Sequence, residues 1–257
     1  MDFADYVQKI SFRLLQPATP RPSGFRALNH LARNAGIHLE MWMTRLPEKQ
    51  EEMQLRLAEA CNVPRMSTFA IGAIINRAVA QMSVGHAYLN VGVWHGFSLL
   101  SGMAQNQNKI CIGVDDFSCK DAPRNSFLKR FERARGASHV FHEVDFREYL
   151  ARQHKEPLGV YLFDGASTYE DQLAGLTLAE PYFAKGCIVL VDDTNWPQVR
   201  EANLEFIKKS AFEYRMLLDV QTPRTGHPTF WNGVMLFERG KRKGSVNTLS
   251  RAPRAAA

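Results

Sequence analysis

Residues 88–98 read YLNVGVWHGFS. The stretch 88–93 is apolar enough for a buried strand. Gly92 and Gly96 then allow a tight turn, and a helix starts from Ser98. A strand, a glycine turn and a helix form the first half of a βαβ unit, and the chain repeats the pattern. Further strands are predicted over 109–114, 139–144, 159–163 and 187–191, alternating with helices over 125–135, 146–154, 170–183 and 197–209. Two last strands, near 214–220 and 230–238, have no helix between them. Near-continuous apolar strands separated by helices indicate a parallel sheet covered on both faces. The expected fold is therefore α/β, a doubly wound, mostly parallel seven-stranded sheet with an antiparallel terminal hairpin.

Upstream the pattern is helical. Helices are expected over 2–15, 25–32, from Pro47 to about residue 61, and over 68–82 with Ser67 as cap. The expected organisation is a helical N-terminal extension over 1–84, a ligand-binding α/β domain over 85–239 and a basic tail over 240–257. The extension serves either as a cap over a substrate mouth or as a surface for self-association into a homo-oligomer.

Composition bounds the rest. Of 257 residues, 45% are hydrophobic and 23% charged, enough to fill a core. No apolar run approaches the roughly 18 residues that span a bilayer, and the acidic start MDFAD is unlike a signal peptide. A cytoplasmic protein with no membrane partner is expected. Four cysteines without a C-x-x-C pair argue against zinc. The net charge of +6 is matched by six Lys and Arg after Glu238, where there is no acid, so residues 1–238 sum to zero. A basic tail without a basic face on the folded part argues against a nucleic-acid partner.

In such sheets ligands bind beyond the carboxyl ends of the strands, where strand order reverses. The first loop has G-x-x-x-G spacing, not the G-x-G-x-x-G of a dinucleotide site. Asp115 ends the second strand, 23 residues after Gly92, and is placed to accept from both hydroxyls of a ribose. Asp145 either accepts from an adenine amino group or caps a helix, and Phe146 can cover a purine face. Asp164, Asp192 and Asp193 end two neighbouring strands. A divalent cation such as Mg²⁺ would relieve their repulsion; otherwise Asp192 caps a helix and the others face water.

Taken as an ordered set, YLNVGVWHGFS, CIGVDDFS, HEVDFREYL, VYLFDGASTYEDQLAGL, GCIVLVDDTNW and FWNGVMLFERG resemble the class I S-adenosylmethionine-dependent methyltransferases. The likeness is narrower to the macrocin-type sugar O-methyltransferases. It implies that Asn90, Gly92, Trp94, Gly96 and Ser98 form the cofactor loop, with Gly92, Gly96 and Ser98 at the methionine part. It also implies Asp115 at the ribose, Asp145 and Phe146 at the adenine, and Asp164 beside the cofactor and the reacting atoms. Asp164, Asp192 and Asp193 match the three ligands of metal-dependent relatives, where Mg²⁺ would hold the substrate oxygen in line with the sulfonium methyl.

The sequence departs from the family in three ways. Asn90 replaces the usual acid, Ala166 and Ser167 stand where relatives carry an Asp or Lys base, and this loop has no His. The base is therefore unassigned; His95, Tyr169 and His227 read more readily as structural or exposed. The leading expectation is metal-assisted O-methylation of a small-molecule hydroxyl, on a sugar or a phenol. The rivals are a metal-independent methyltransferase, a binding protein that has lost catalysis, and a nucleic-acid methyltransferase using the tail.

Overall fold

The computed structural model describes residues 1–119 and 122–244. Of the basic tail expected from residue 240, residues 245–257 lie outside the described residues. Residues 240–242 are not tail, because they continue the last strand.

The N-terminal part departs from the expected single helix over 2–15. α1 spans Phe3–Gln8 and is capped by Asp2, whose carboxylate accepts the Asp5 N–H at 2.9 Å. The chain then extends. β1 (Ser11–Phe12) pairs antiparallel with β2 (Thr44–Arg45), delivering Phe12 edge-on to Phe230 at 5.3 Å between centroids. α2 (Phe25–Asn34), α3 (Leu39–Met43), α4 (Gln50–Cys61) and α5 (Phe69–Gln81) follow. α5 is capped by the backbone of Thr68 and not by Ser67, and no side chain bonds its first turn.

The α/β part alternates as expected. It comprises β3 (Ala87–Val91), α6 (Phe97–Met103), β4 (Ile110–Val114), α7 (Arg124–Ala134), β5 (His139–His142) and the single turn α8 (Phe146–Glu148). A π-turn over Tyr149–Gln153 separates α8 from β6 (Leu158–Phe163). Then come α9 (Tyr169–Ala179), a 3₁₀ turn over Glu180–Tyr182, β7 (Phe183–Asp192), α10 (Pro197–Lys209), β8 (Phe212–Val220) and β9 (Val234–Arg242). Thr168, not Ser167, caps α9, accepting the Asp171 N–H at 3.1 Å.

The seven-stranded sheet runs β5-β4-β3-β6-β7-β9-β8, with β9 antiparallel to both of its neighbours. Strand order therefore reverses between β3 and β6. Register makes that point a site: Val91 is paired with Val114 on one side and with Phe163 on the other, and Phe163 with Val191. Four strands end in one row, and their loops leave from one rim. β9 starts at Val234, later than expected, because Phe230–Gly233 turns to carry Asn232 across to the loop after β7, where the Asn195 N–H donates to the Asn232 carbonyl at 2.9 Å.

Two cores flank the sheet. One joins α9, α10 and the π-turn to one face; the other joins α1, α4, α5, α6 and α7 to the opposite face. The N-terminal helices thus share the core of the α/β part. Among the described residues no helix is long and apolar enough to cross a membrane.

Asn76 of α5 is a buried polar junction. Its Nδ2 donates to the carbonyls of Ser101 and Ala104 at 2.7 and 2.8 Å, and its Oδ1 accepts from Arg56 Nη1 at 3.0 Å. Asn76→Ala strands two carbonyls in the core, and unfolding in urea should show a loss of about 2–4 kcal/mol. A loss under about 0.5 kcal/mol would mean that the junction holds nothing together.

Candidate active site

The glycine turn after β3 is fixed by Asp115. Asp115 Oδ2 accepts the N–H groups of Val93 and Trp94 at 2.8 and 2.9 Å, and its Oδ1 accepts the N–H of Phe117 at 2.8 Å. The carboxylate therefore ties the β3 and β4 loops together, a role that the expected ribose contact did not include. It keeps lone pairs free, since a carboxylate has about four acceptor sites, and it lines the cleft beside the turn. Trp94 and Phe117 both adopt positive φ, at 45° and 50°. Such backbone is costly for non-glycine residues and persists where surrounding bonds over-determine it.

Gly92 has φ 78°, and a Cβ there would run into the backbone carbonyl of Asp164. The first and fourth loops thus pass in backbone contact. Gly96 is required for a different reason, since a Cβ would meet the Phe127 ring at 2.9 Å. Gly92 and Trp94 line the cleft, whereas Gly96 and Ser98 are buried behind it.

Asn90 corrects the sequence reading. Its side chain is fully buried, with Oδ1 accepting from the Tyr88 hydroxyl at 3.4 Å and Nδ2 donating to the carbonyls of Val91 and Gly92 at 3.3 and 3.0 Å. It braces the turn from beneath and does not line the cleft. An amide suits this place, because an acid would face two carbonyl oxygens without a proton to offer.

The cleft measures about 530 Å³, within the range of a small-molecule site. Its far end holds Phe117, Val144, Asp145, Phe146 and Arg147. Asp145 caps α8, accepting the N–H groups of Arg147 and Glu148 at 2.8 and 3.3 Å. Arg147 lies over the Phe146 ring, 4.4 Å from its centroid, and pairs with Asp171. Met66, Phe117, Arg147 and Asp171 were not foreseen; no local motif marks them, and only the folded rim brings them together.

Asp164 sits on the cleft floor, open to solvent yet deep within the protein mass. That burial, followed by the charges of Asp192, Asp193 and Asp115, pushes its carboxyl well above the usual range. Asp192 is 5% exposed and is also pushed well up, by burial and then by Asp193, against a backbone hydrogen bond that favours its charge. Burial raises Asp193 as well, opposed by hydrogen bonds from Asn232 and Ser167.

The three carboxylates do not assemble as the expected ligand set. Among the described residues no group of three or more His, Cys, Asp and Glu side chains is disposed to hold a metal ion. Asp192 is engaged by the Asp193 N–H at 2.9 Å, and Asp193, at φ 60°, turns to Asn232 Nδ2 at 2.8 Å. Of the three, only Asp164 lines the cleft.

A second, larger cavity of about 720 Å³ lies between α2, the segment leading into α5, and the 225–231 turn. Trp94 lines both spaces, and consecutive residues Met66 and Ser67 face one each. None of His95, Tyr169 and His227 lines either. His227 bonds Thr229 Oγ1 and the Thr19 carbonyl at 2.7 and 2.9 Å; His95 meets Arg130 at 3.2 Å; Tyr169 bonds Glu205.

A strand-order reversal, a glycine turn and an acid-lined cleft at one rim define a nucleotide-cofactor fold of the methyltransferase class. Residues 89–194 match a family described as a methyltransferase domain, which supports an S-adenosylmethionine-dependent methyltransferase. No curated protein matches the sequence significantly. Among solved structures, the chain is similar to an O-methyltransferase from Bacillus cereus in complex with SAH, at 11% identity and TM-score 0.54, over 83% of this chain and 97% of that one. It is also similar to cofactor-bound Rv0187 from MTB, at 14% identity and TM-score 0.56, over 87% and 99%. At these identities the likeness is one of fold.

The buried Asp192 gives a pH test. Its folded pKa lies above the unfolded value of about 3.9, so its contribution to stability is full below that value and is lost as pH rises through the folded value. Asp192→Asn stays neutral and keeps Oδ1 for the Asp193 N–H. The variant should gain Tm over wild type progressively as pH rises above the unfolded value of about 3.9, by about 2–4 °C for each 1 kcal/mol. A Tm difference independent of pH contradicts the assignment.

Proposed function

We propose that the chain catalyses O-methylation of a small-molecule hydroxyl, with the cofactor in the 530 Å³ cleft and the acceptor in the 720 Å³ cavity. One observation carries the reading: Trp94 is a wall common to both spaces, so occupants of the two meet beside it. The resemblance to macrocin-type enzymes points to a sugar or phenolic hydroxyl.

The cleft suits S-adenosylmethionine in size and chemistry. Gly92 and Trp94 would hold the methionine end, Asp115 the ribose, and Phe146 with Arg147 the adenine. When bound, the cofactor supplies a methyl group on a positive sulfur. The residues supply orientation and proton removal. Trp94 and Trp231 flank the acceptor, and helices α2 and α3 cover it from water. Asp164 takes the hydroxyl proton as the oxygen attacks; burial and the neighbouring carboxylates raise its affinity for that proton.

A second reading, metal-assisted transfer, is favoured by the mutual repulsion of Asp164, Asp192 and Asp193. A divalent ion such as Mg²⁺ would need Asp192 and Asp193 to turn from their present partners. Turnover on a panel of hydroxyl acceptors, with and without EDTA, separates the two readings. The base reading predicts activity undiminished by EDTA, rising with pH through the Asp164 titration. Asp164→Asn should cost about 10²–10⁴ in kcat. Loss of activity in EDTA with recovery on adding Mg²⁺ would establish the metal-assisted reading instead.

A further inference from the structure

The acceptor cavity is strongly basic. Three guanidinium groups, Arg21, Arg33 and Arg65, line it against one carboxylate, Glu40. Glu40 is committed to Arg65, with which it forms a buried ion pair. Arg65 Nη1 also donates to the Cys61 carbonyl. Among the described residues, Arg33 makes one long hydrogen bond, from Nη2 to the Val63 carbonyl at 3.5 Å. Burial and then the charge of Arg33 lower the Arg65 pKa to about 9, so Arg65 stays charged at neutral pH.

The cavity wall also holds polar atoms with no partner. Ser67 is 5% exposed and Arg65 7% exposed, and both line the cavity. Among the described residues Ser67 Oγ and Arg65 Nε make no hydrogen bond, and neither does His38 Nδ1. Stranded polar groups are costly, and several around one space indicate a ligand that completes them. The N-terminus of α5 opens at the same wall. Its cap residue Thr68 turns its hydroxyl away, donating to the Thr229 carbonyl at 2.6 Å, so no side chain satisfies the first-turn N–H groups. The positive end of a thirteen-residue helix, whose cap residue Thr68 lines the cavity, favours an anion there.

We propose that this cavity selects an acceptor bearing an anionic group, a phosphate or a carboxylate, held by Arg33 with Ser67 and the α5 N-terminus while its hydroxyl faces Trp94. Arg65, steadied by Glu40, forms the wall against which that group rests. The proposal rests on the acceptor lying in this cavity, and it names the substrate class. A neutral sugar or phenol would leave Arg33 without a counter-charge and Ser67 without a partner.

The test reads binding without turnover. The full chain saturated with S-adenosylhomocysteine is titrated by calorimetry with inorganic pyrophosphate and, separately, with 3-hydroxybenzoate. At least one is expected to bind at low salt, and the stronger of the two identifies the anion as phosphate-like or carboxylate-like. Arg33→Ala should weaken that probe by about tenfold or more, while Arg33→Lys recovers part of the loss. S-adenosylhomocysteine affinity should stay unchanged in both variants. Arg33→Gln, which keeps most of the stem, replaces Ala if the latter lowers Tm. Absence of binding by both probes, or equal binding by wild type and the Arg33 variants, overturns the proposal. Failure to bind S-adenosylhomocysteine at all would instead count against the function proposed above.

Discussion

The Asp115 carboxylate is the interaction on which the site depends. Backbone N–H groups from two loops converge on its two oxygens. Charge-assisted bonds of this kind are about twice as strong as neutral ones. They hold Trp94 and Phe117 at backbone angles that neither would adopt freely. With Trp94 so placed, the 530 Å³ cleft and the 720 Å³ cavity share a wall. Without it, the glycine turn has no fixed geometry against the Asp164 backbone. The contact between Gly92 and Asp164 is tight enough to exclude any side chain at residue 92.

Charge is distributed unevenly across that wall. The cleft side is acidic, with Asp115, Asp145 and Asp164, and suits a positive sulfonium. The cavity side is basic, with Arg21, Arg33 and Arg65. Burial and neighbouring carboxylates on the acidic side push the Asp164 carboxyl well above its usual range.

Much of the fold was legible because it rests on local signals. Period and apolar runs located all seven strands of the main sheet, and Pro197 at a first helical position marked α10 to its ends. Where the reading failed, tertiary contacts decided. Phe12 leaves the helical pattern to reach Phe230, some two hundred residues on. Residues 230–233 are apolar enough for a strand but are spent on a turn that brings Asn232 to Asp193. The resemblance names residues for the cofactor loop but is blind to direction: Asn90 points beneath the turn and Ser98 lies behind it. Asp192 and Asp193 likewise end the right strand, but they face local partners. The basic cavity carried no signal at all, because its arginines lie far apart in the sequence and belong to different elements.

The central claim is that Asp115 builds the site in which the cofactor binds. Calorimetric titration of S-adenosylhomocysteine into wild type and Asp115→Ala tests it most directly. The account predicts saturable binding by wild type and a loss of at least about a hundredfold in the variant, since the ribose contact and the loop geometry go together, with charge-assisted bonds worth about 1.5–3 kcal/mol each. Equal affinity in a folded variant, or no binding by wild type, would contradict it.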